Sequence, residues 1–266
     1  MSERVPRRWL VGFFGLTIPL ALLFWLPMIL QAKDVLWLPL PPIVLSTLGA
    51  LSPLAALAWL QQKSGGVVSL ARIYGKIRPR ALALRLAVAA ALIIPALAIA
   101  GSGLDYLVGR TPSLTVLMDG RADLGAWLVF AIPAHFAASL ITSPLFEEPA
   151  WRGFALTQLE LHGLSPIVAS LAVGVYWWLW HQGMNIAFGL YPTLAGLLKM
   201  VSLSMVTDSF FRRSGDNVFA AMLVHQGAGT ANIFLQGTGA GSLTGLLMLS
   251  AALWLRVLPN WRRRSC

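Results

Sequence analysis

Two adjacent carboxylates stand close to an arginine in a chain that is otherwise largely apolar. Glu147 and Glu148 lie five and four residues before Arg152, in the stretch F-E-E-P-A-W-R-G-F. A charged side chain at membrane depth costs about 2.5–3.5 kcal/mol on insertion scales, and such residues usually face a cavity and have a function. On a helix, Glu148 and Arg152 can pair as i,i+4 neighbours, whereas Glu147 projects about 100° away and can address another group. The alternative is a solvated loop, where the pair contributes under ~1 kcal/mol.

Two histidines lie on other apolar segments of the chain. His181 follows Trp177 by one helical turn on the same face, and His225 lies on a later segment. A carboxylate and two histidines on three separate helices can face one interior, which is how helix bundles build sites. We assign the remaining two histidines, His135 and His162, to structure.

A carboxylate with two histidines supports two chemistries. Glu147, His181 and His225 could hold Zn²⁺, which would activate a water. Alternatively, Glu147 is the general base on a water held by His181, while His225 and neighbouring amides stabilise a tetrahedral oxyanion. Both alternatives predict hydrolysis of an acyl bond. The sequence contains no His-Glu-x-x-His motif, no Gly-x-Ser-x-Gly elbow and no P-loop.

The elements that must position these residues are membrane helices. Of the 266 residues, 57% are hydrophobic and 11% are charged, and the mean hydropathy is +0.72. This composition is typical of a polytopic membrane protein. The net charge is +10, but the basic residues punctuate apolar runs instead of forming a patch, which argues against nucleic-acid binding. The single cysteine, Cys266, ends the chain and excludes an intrachain disulfide.

Hydropathy predicts an all-α bundle of about eight transmembrane helices. A retained first span, not a signal peptide, follows the basic N-terminal residues. The helix of the fourth span is expected to continue to residue 161, and Pro133, Pro144 and Pro149 should bend or interrupt it. The predicted spans are 9–30, 41–60, 82–100, 124–146, 165–187, 193–206, 218–235 and 242–258.

The basic residues predict the orientation of this bundle. One side receives the basic N terminus, the segment 61–80, Arg152, the loop after the sixth span and the C-terminal arginines. The opposite side receives Lys33, Arg110 and Arg121, and the loops after the fifth and seventh spans carry no Lys or Arg. Because cytoplasmic loops are enriched in these residues, both termini are predicted to be cytoplasmic. The segment 101–123 is then an outer loop.

The predicted organisation is one integral membrane domain in three parts. Residues 1–123 form the first three spans, 124–258 form a catalytic bundle of spans four to eight, and 259–266 form a basic tail. A rise of ~1.5 Å per residue leaves Glu147 near the cytoplasmic face and His181 deeper than His225. A shared cavity therefore requires a bend at Pro144 or Pro149, or shifted span boundaries.

Three motifs together resemble the CAAX-processing and bacteriocin-processing (CPBP, or Abi) family of intramembrane proteases. The motifs are Glu-Glu-x-x-x-Arg-Gly at 147–153, aromatic-x-x-x-His ending at His181, and a further histidine, His225. The resemblance covers residues 124–235. Trp177 stands where the family usually has Phe. The resemblance implies Glu147 as base, Glu148 and Arg152 as orienting partners, and the two histidines as water-binding, oxyanion or metal groups.

The third motif departs from the family pattern. The family commonly has Asn four residues after the histidine, but Gly229 occupies this position. Asn232, seven residues after His225, lies on the same helix face, and Asn185 lies four residues after His181. These two asparagines are candidates for supplying the missing amide. Trp177, one turn before His181, is a further secondary candidate of the site.

The leading hypothesis is therefore an intramembrane endopeptidase of a bacterial inner membrane. Its expected partners are membrane lipids and a peptide or protein substrate at the cytoplasmic side, and its cofactor is Zn²⁺ unless the mechanism is metal-free. One alternative is a non-catalytic family member that acts as an immunity or scaffold protein by binding. Another is a transporter that uses Lys199 and Asp208 as a charge relay.

Overall fold

The computed structural model describes residues 4–111, 117, 121–235 and 243–257. Helices form the architecture of these residues, and one antiparallel backbone bridge joins Leu117 to Leu235. The prediction of an all-α fold is confirmed. The basic tail predicted at 259–266, with Cys266, lies outside the described residues.

The first half of the chain contains a series of helices, the first of which begins at Arg7. Pro42 begins a helix, because proline fits the first turn, where N–H groups have no partner within the helix. A 3₁₀ turn spans Pro79–Ala81. The α-helices are α1 (Arg7–Ala32), α2 (Pro42–Ala50), α3 (Ser52–Lys63), α4 (Leu70–Tyr74) and α5 (Leu84–Leu107).

The second half contains the elements that carry the candidate site residues. A 3₁₀ segment, Ala122–Trp127, precedes them. An eight-residue π-helix, Pro149–Leu156, lies among the α-helices. The α-helices are α6 (Leu128–Leu140), α7 (Ser143–Glu148), α8 (Thr157–Leu161), α9 (Pro166–Ala187), α10 (Leu194–Arg213), α11 (Val218–Phe234) and α12 (Thr244–Val257).

The helices α9 and α11 agree with the predicted fifth and seventh spans to within one residue. Their first residues are fixed by side-chain caps. Ser165 Oγ accepts a hydrogen bond from the Val168 amide, and Asn217 Oδ1 accepts one from the Phe219 amide at 3.1 Å. Ser and Asn are favoured at this position because they satisfy amides that the helix leaves unpaired.

Two boundaries predicted from hydropathy are wrong. The sixth span does not end at residue 206, because α10 continues to Arg213 and buries the polar Asp208. The outer loop does not begin at residue 101 as predicted, because α5 continues to Leu107. Asp105, in the last turns of α5, accepts hydrogen bonds from the Leu243 amide at 3.2 and 3.3 Å. Tertiary partners therefore stabilise polar helical turns that hydropathy alone excludes.

The predicted fourth span is interrupted, as its prolines indicate. The break lies at residues 141–142, between α6 and α7. Pro144 lies in the first turn of α7, and Pro149 begins the π-helix. Pro133, in contrast, lies inside α6 without interrupting it, and the predicted alternative of a bend there stays a prediction.

Five stretches of the described residues are long and apolar enough to cross a membrane. They support an integral membrane protein, whereas the count of eight spans and the cytoplasmic termini stay predictions. Of the other predicted spans, α11 has 17 residues, and Thr244–Leu255 is a shorter apolar helix. The five stretches are Arg7–Ala32, Pro42–Lys63, Leu84–Leu107, Asp123–Leu161 and Leu194–Arg213.

The site is positioned by close packing around the π-helix, every residue of which is buried. From α1, the Phe13 ring contacts Trp151 and Phe154 at centroid distances of 5.6 and 5.3 Å. The helix α11 packs against α5, α10 and α6. A Cβ atom built at Gly227 of α11 would lie 2.4 Å from the Ala91 carbonyl oxygen of α5. A glycine there permits the close approach of two backbones that is common between membrane helices.

Candidate active site

The break before α7 and the π-helix after it carry the two adjacent glutamates into the protein interior. Glu147 and Glu148 end α7, and their side chains are buried, with 2% and 0% of the residue surface exposed. The next residue, Pro149, has no N–H to donate and begins the π-helix. Such helices are rare and frequently occur at functional sites. A helix break therefore lies just before Pro144, and a change of helix type lies at Pro149.

The carboxylate of Glu147 is held by three donors. Its Oε1 accepts a hydrogen bond from Ser143 Oγ at 2.5 Å. Its Oε2 accepts bonds from the indole Nε1 of Trp177 at 2.9 Å and of Trp151 at 3.4 Å. A buried carboxylate without donors would be strongly unfavourable, so these contacts allow a charged group at this position and fix its orientation.

Glu148 belongs to a second, fully buried network centred on Arg152. Arg152 Nη1 lies 3.1 and 3.0 Å from the two carboxylate oxygens of Glu148. Arg152 Nε donates to Asp208 Oδ1 at 2.9 Å, and Nη2 donates to Ser204 Oγ at 3.1 Å. The guanidinium carbon lies 4.7 Å from the centre of the Trp177 ring. The predicted i,i+4 pair is therefore real, but it lies inside the protein and is not a solvated surface pair.

Both candidate histidines are oriented through Nδ1. Nδ1 of His181 lies 2.8 Å from the Trp177 carbonyl oxygen, and Nδ1 of His225 lies 2.7 Å from Glu148 Oε1. Because a carbonyl or carboxylate oxygen only accepts, Nδ1 carries the hydrogen in both rings. Nε2 of each ring is therefore left for another partner. The Trp177 ring lies against both imidazoles, at centroid distances of 5.3 and 5.1 Å.

A cavity of about 340 Å³ brings the predicted residues together. Glu147, His181 and His225 all line it, as do Gly229 and Asn232. Glu148, Arg152 and Trp177 are buried behind this wall. Asn185 is not among the described residues that line the cavity. The structure therefore joins the three predicted elements and favours Asn232 over Asn185 as a supplementary amide.

Several side chains of this site were not singled out as protease residues from the sequence. Asp208 was considered only for a transporter relay, yet it pairs with Arg152. His135, assigned to structure, lines the cavity, with its ring nitrogens 3.4 Å from Ser139 Oγ and from Thr230 Oγ1. Ser143 bonds to Glu147, and only its i,i+4 spacing from Glu147 could have indicated this contact. His162 accords with its structural assignment, because Nε2 contacts the Val5 carbonyl oxygen at 2.9 Å.

Glu147, His181 and His225 are the residues that the sequence predicts as zinc ligands. Structural and catalytic zinc sites require three or four N, O or S ligands at about 2.0–2.3 Å. In the part of the chain that the structure describes, no group of three His, Cys, Asp and Glu side chains is placed to hold a metal ion. The oxygens of Glu147 also already accept three hydrogen bonds. As arranged, Glu147, His181 and His225 do not fit Zn²⁺.

Comparison with known proteins shows one family model that resembles the segment carrying this site. A search of curated proteins found no match. Residues 128–231 match the family model described as "Type II CAAX prenyl endopeptidase Rce1-like". This segment runs from the beginning of α6 into the last turn of α11, and it contains both glutamates, Arg152 and both histidines. The resemblance inferred from the motifs is confirmed for residues 128–231, a segment of this chain that is similar to Rce1-like CAAX endopeptidases.

Proposed function

We propose that this protein hydrolyses a peptide bond of a membrane-associated peptide or protein with a water activated by Glu147. The observation that carries the proposal is the cavity shared by Glu147, His181 and His225. A carboxylate is suited to this role when it is fixed beside a space that admits both water and a carbonyl group. Ser143, Trp151 and Trp177 supply that fixation.

The first step is the attack of water on the scissile carbonyl carbon. Glu147 accepts a proton from the water as the water oxygen bonds to carbon, and the carbonyl oxygen takes up the negative charge. Nε2 of His181 can position the water, because Nδ1 is occupied by the Trp177 carbonyl. The product of this step is a tetrahedral oxyanion and a protonated Glu147.

The second step breaks the carbon–nitrogen bond. We assign the oxyanion to the amide of Asn232 and to His225, which donates from Nε2 as an imidazolium while its Nδ1–H is held by Glu148, since donors aimed at this charge lower the barrier. Glu147 then returns its proton to the leaving nitrogen as the bond breaks. The products are a carboxylic acid and an amine, and Glu147 is again a carboxylate.

The side of the membrane and the substrate follow from the charge pattern. With both termini cytoplasmic, the basic segment 61–80 and the end of α10, which contains Arg212, lie on the same side of the membrane as the proposed substrate. The substrate is a peptide or protein tail that enters the cavity from this side. The bacterial inner membrane remains our proposed location, with lipids as permanent partners.

A metal-free mechanism predicts a definite response to metal removal. The carboxylate of Glu147 is occupied by three hydrogen-bond donors, so turnover should persist after dialysis against EDTA and in 1,10-phenanthroline. The measurement is the rate of Glu147-dependent cleavage before and after chelation. Loss of this rate on chelation, with recovery on addition of Zn²⁺, would contradict the metal-free mechanism.

The experiment that tests the proposed function compares membrane peptidomes. Cells expressing the wild type are compared with cells expressing Glu147→Gln at a matched level. Gln keeps the shape of the side chain but cannot accept the proton from water. The control is Glu160→Gln, which removes a carboxylate that pairs with Arg212 outside the cavity. Peptides or trimmed termini that depend on Glu147 but not on Glu160 are the expected result.

A specific observation supports a second candidate function. Gly229 lines the cavity at the position where the family commonly has Asn, so the site lacks one expected amide. A protein of this fold that binds peptides without cleaving them would act as an immunity or scaffold factor. Identical peptidomes for the wild type and Glu147→Gln, with both proteins folded and inserted, would favour this function and overturn the protease proposal.

A further inference from the structure

A short segment of the N-terminal half contacts three of the four elements that carry the candidate site residues. Residues 74–78, which we name the clasp, begin with the last residue of α4 and end immediately before the 3₁₀ turn Pro79–Ala81. They lie outside the matched family segment 128–231. The clasp contacts α7, the π-helix and the start of α11, as the individual hydrogen bonds show.

The contact with α7 is made by Tyr74. Its hydroxyl donates to the Leu145 carbonyl oxygen at 3.2 Å, two residues before Glu147. Burial raises the pKa of Tyr74 to about 12, so the phenol keeps its hydrogen throughout the ordinary pH range. This bond ties the clasp to the helix that ends with both glutamates.

The contact with the π-helix is made by Lys76. Its ammonium group donates to the Gly153 carbonyl oxygen at 2.7 Å and lies 3.4 Å from Thr157 Oγ1. Thr157 Oγ1 in turn donates to the carbonyl oxygen of Arg152 at 3.0 Å. Hydrogen bonds to charged groups are stronger than neutral ones. Lys76 therefore holds the turn of the π-helix from which the Arg152 side chain projects.

The contact with α11 uses the backbone of the clasp. The Val218 amide donates to the Lys76 carbonyl oxygen at 3.0 Å. The side chain of Asn217, which is fully buried, makes a reciprocal pair with Arg78. It accepts from the Arg78 amide at 3.0 Å and donates to the Arg78 carbonyl oxygen at 2.7 Å. Val218 is the first residue of α11 and precedes His225 by two turns.

These contacts connect parts of the site that are distant in sequence. Glu148 and His225 must stay 2.7 Å apart, although they lie on different helices. A shift of α11 along its axis would break this contact and move His225 Nε2 within the cavity. Three hydrogen bonds anchor the first turn of α11 to the clasp, and the same clasp anchors α7 and the π-helix. The clasp therefore fixes the axial position of α11 relative to the two glutamates.

We propose that residues 74–78 are positioning residues of the protease, which set the register between His225 on α11 and the glutamates on α7. The proposal rests on the proposed function. It assigns a role in the reaction to the N-terminal half of the chain. Lys76 is the central residue, since its side chain holds the π-helix while its carbonyl oxygen holds α11.

Lys76→Met tests the role of the side chain, because it keeps the length and removes the donor. The substrate is a fluorogenic peptide that contains a cleavage sequence found in the peptidome comparison. We expect kcat to fall about 10- to 100-fold, because small misplacements of catalytic groups have effects of this size. KM should stay within about twofold of the wild type if only the catalytic geometry changes. Lys76→Arg, which keeps a cationic donor, should restore most of kcat, and the control Lys63→Met, an exposed lysine of α3, should change neither constant.

Hydrogen exchange of the detergent-solubilised protein gives a readout that needs no turnover. In Lys76→Met, amides of the π-helix and of the first turns of α11 should exchange faster, while those of α1 and α9 should not. Unchanged kcat or unchanged exchange at these turns would overturn the proposal. Faster exchange in every helix, with a large fall in Tm, would also overturn it, because the lysine would then only stabilise the fold. A wild type without Glu147-dependent cleavage would refute the proposed function, and exchange alone would then decide whether the clasp holds these helices.

Discussion

Adjacent residues perform different tasks in this site because a helix separates their directions. Glu147 and Glu148 differ by about 100° around α7, so one carboxylate lines the cavity and the other faces Arg152 and His225. This division was predictable from the sequence, since it needs only the spacing of charges and the assumption of a helix. The donors of Glu147 are less predictable, because the Trp177 indole reaches Glu147 only when α9 packs against the π-helix that follows α7.

Asp208 shows what sequence patterns at this scale leave out. It lies 56 residues from Arg152, and no local spacing connects the two. Arg152 has Glu148 and Asp208 as buried carboxylate partners, and only the packing of α10 against its neighbours brings Asp208 there. Hydropathy treats a charged residue near the end of an apolar segment as the boundary of that segment. Asp208 therefore makes the predicted sixth span end at residue 206, although α10 continues to Arg213.

Replacing Asp208 should disturb the site through Arg152. In Asp208→Asn, an oxygen can still accept from Arg152 Nε, but the compensating charge is lost. Removal of one partner from a buried ion pair costs up to about 3–5 kcal/mol, and we expect a lower Tm and a kcat reduced about tenfold. Thermal unfolding in detergent and steady-state kinetics measure the two effects. The matched control is Asp216→Asn, whose exposed pair with Arg212 should contribute under ~1 kcal/mol. Equal stability of both variants would contradict the role of Asp208.

Gly229 offers a direct test of the amide that the third motif lacks. A Cβ atom built at Gly229 would lie no closer than 3.7 Å to the side chain of Gln226, so an added side chain has room at the cavity wall. Gly229→Asn should place an amide donor near the oxyanion and raise kcat about tenfold, a modest part of what one such donor can contribute.

The comparison that isolates the amide is Gly229→Ala. This variant shares the gain in helix propensity, ~1 kcal/mol, but adds no donor, so its kcat should equal that of the wild type. Steady-state rates of the two variants with one fluorogenic peptide provide the measurement. If Gly229→Asn were no faster than Gly229→Ala, Asn232 or another group would already supply the donor.

At the scale of elements, the turn that carries the glutamates was only partly predictable. Pro144 and Pro149 indicated a bend, and the break at residues 141–142 confirms it. A π-helix could not be predicted, because its backbone register depends on groups from other elements, among them Phe13 of α1 and Lys76 of the clasp. Pro133 also shows that proline alone does not decide where a membrane helix ends, since α6 continues through it.

The contact between α5 and α11 is tight enough to be tested with one methyl group. A Cβ atom at residue 227 would lie 2.4 Å from the Ala91 carbonyl oxygen, a backbone atom that cannot rotate away. Gly227→Ala should therefore push α11 from α5 and lower stability by about 1–3 kcal/mol, as overpacking usually does. Because His225 lies two residues away, kcat should fall as well.

The control for this change is another glycine of the same helix. Gly229→Ala adds the same methyl group where the nearest atoms are 3.7 Å away, and it should not lower Tm. Thermal unfolding of both variants in the same detergent gives the comparison. Equal Tm values would show that α5 and α11 are not held at this distance.

At the scale of the whole molecule, the cavity joins both halves of the chain. Trp25 of α1 and four residues of α2 line it together with residues of α6, α7, α9 and α11. The family match begins at residue 128, yet part of the cavity wall comes from the first two predicted spans. Composition was sufficient to predict a membrane helix bundle. It could not show which lipid-facing segments also enclose the site, because such segments are apolar in either case.

The orientation of the bundle can be tested with the only cysteine of the sequence. Lys and Arg concentrate on the predicted cytoplasmic side, and eight spans would place Cys266 on that side too. A membrane-impermeant maleimide should then leave Cys266 unmodified in spheroplasts and modify it in inverted membrane vesicles. The matched variant carries Cys266→Ser together with Tyr191→Cys, an exposed position between α9 and α10, and should give the opposite pattern. Modification of Cys266 in spheroplasts would contradict a cytoplasmic C terminus. Because the site is proposed to open toward the basic side, it would also contradict a cytoplasmic substrate.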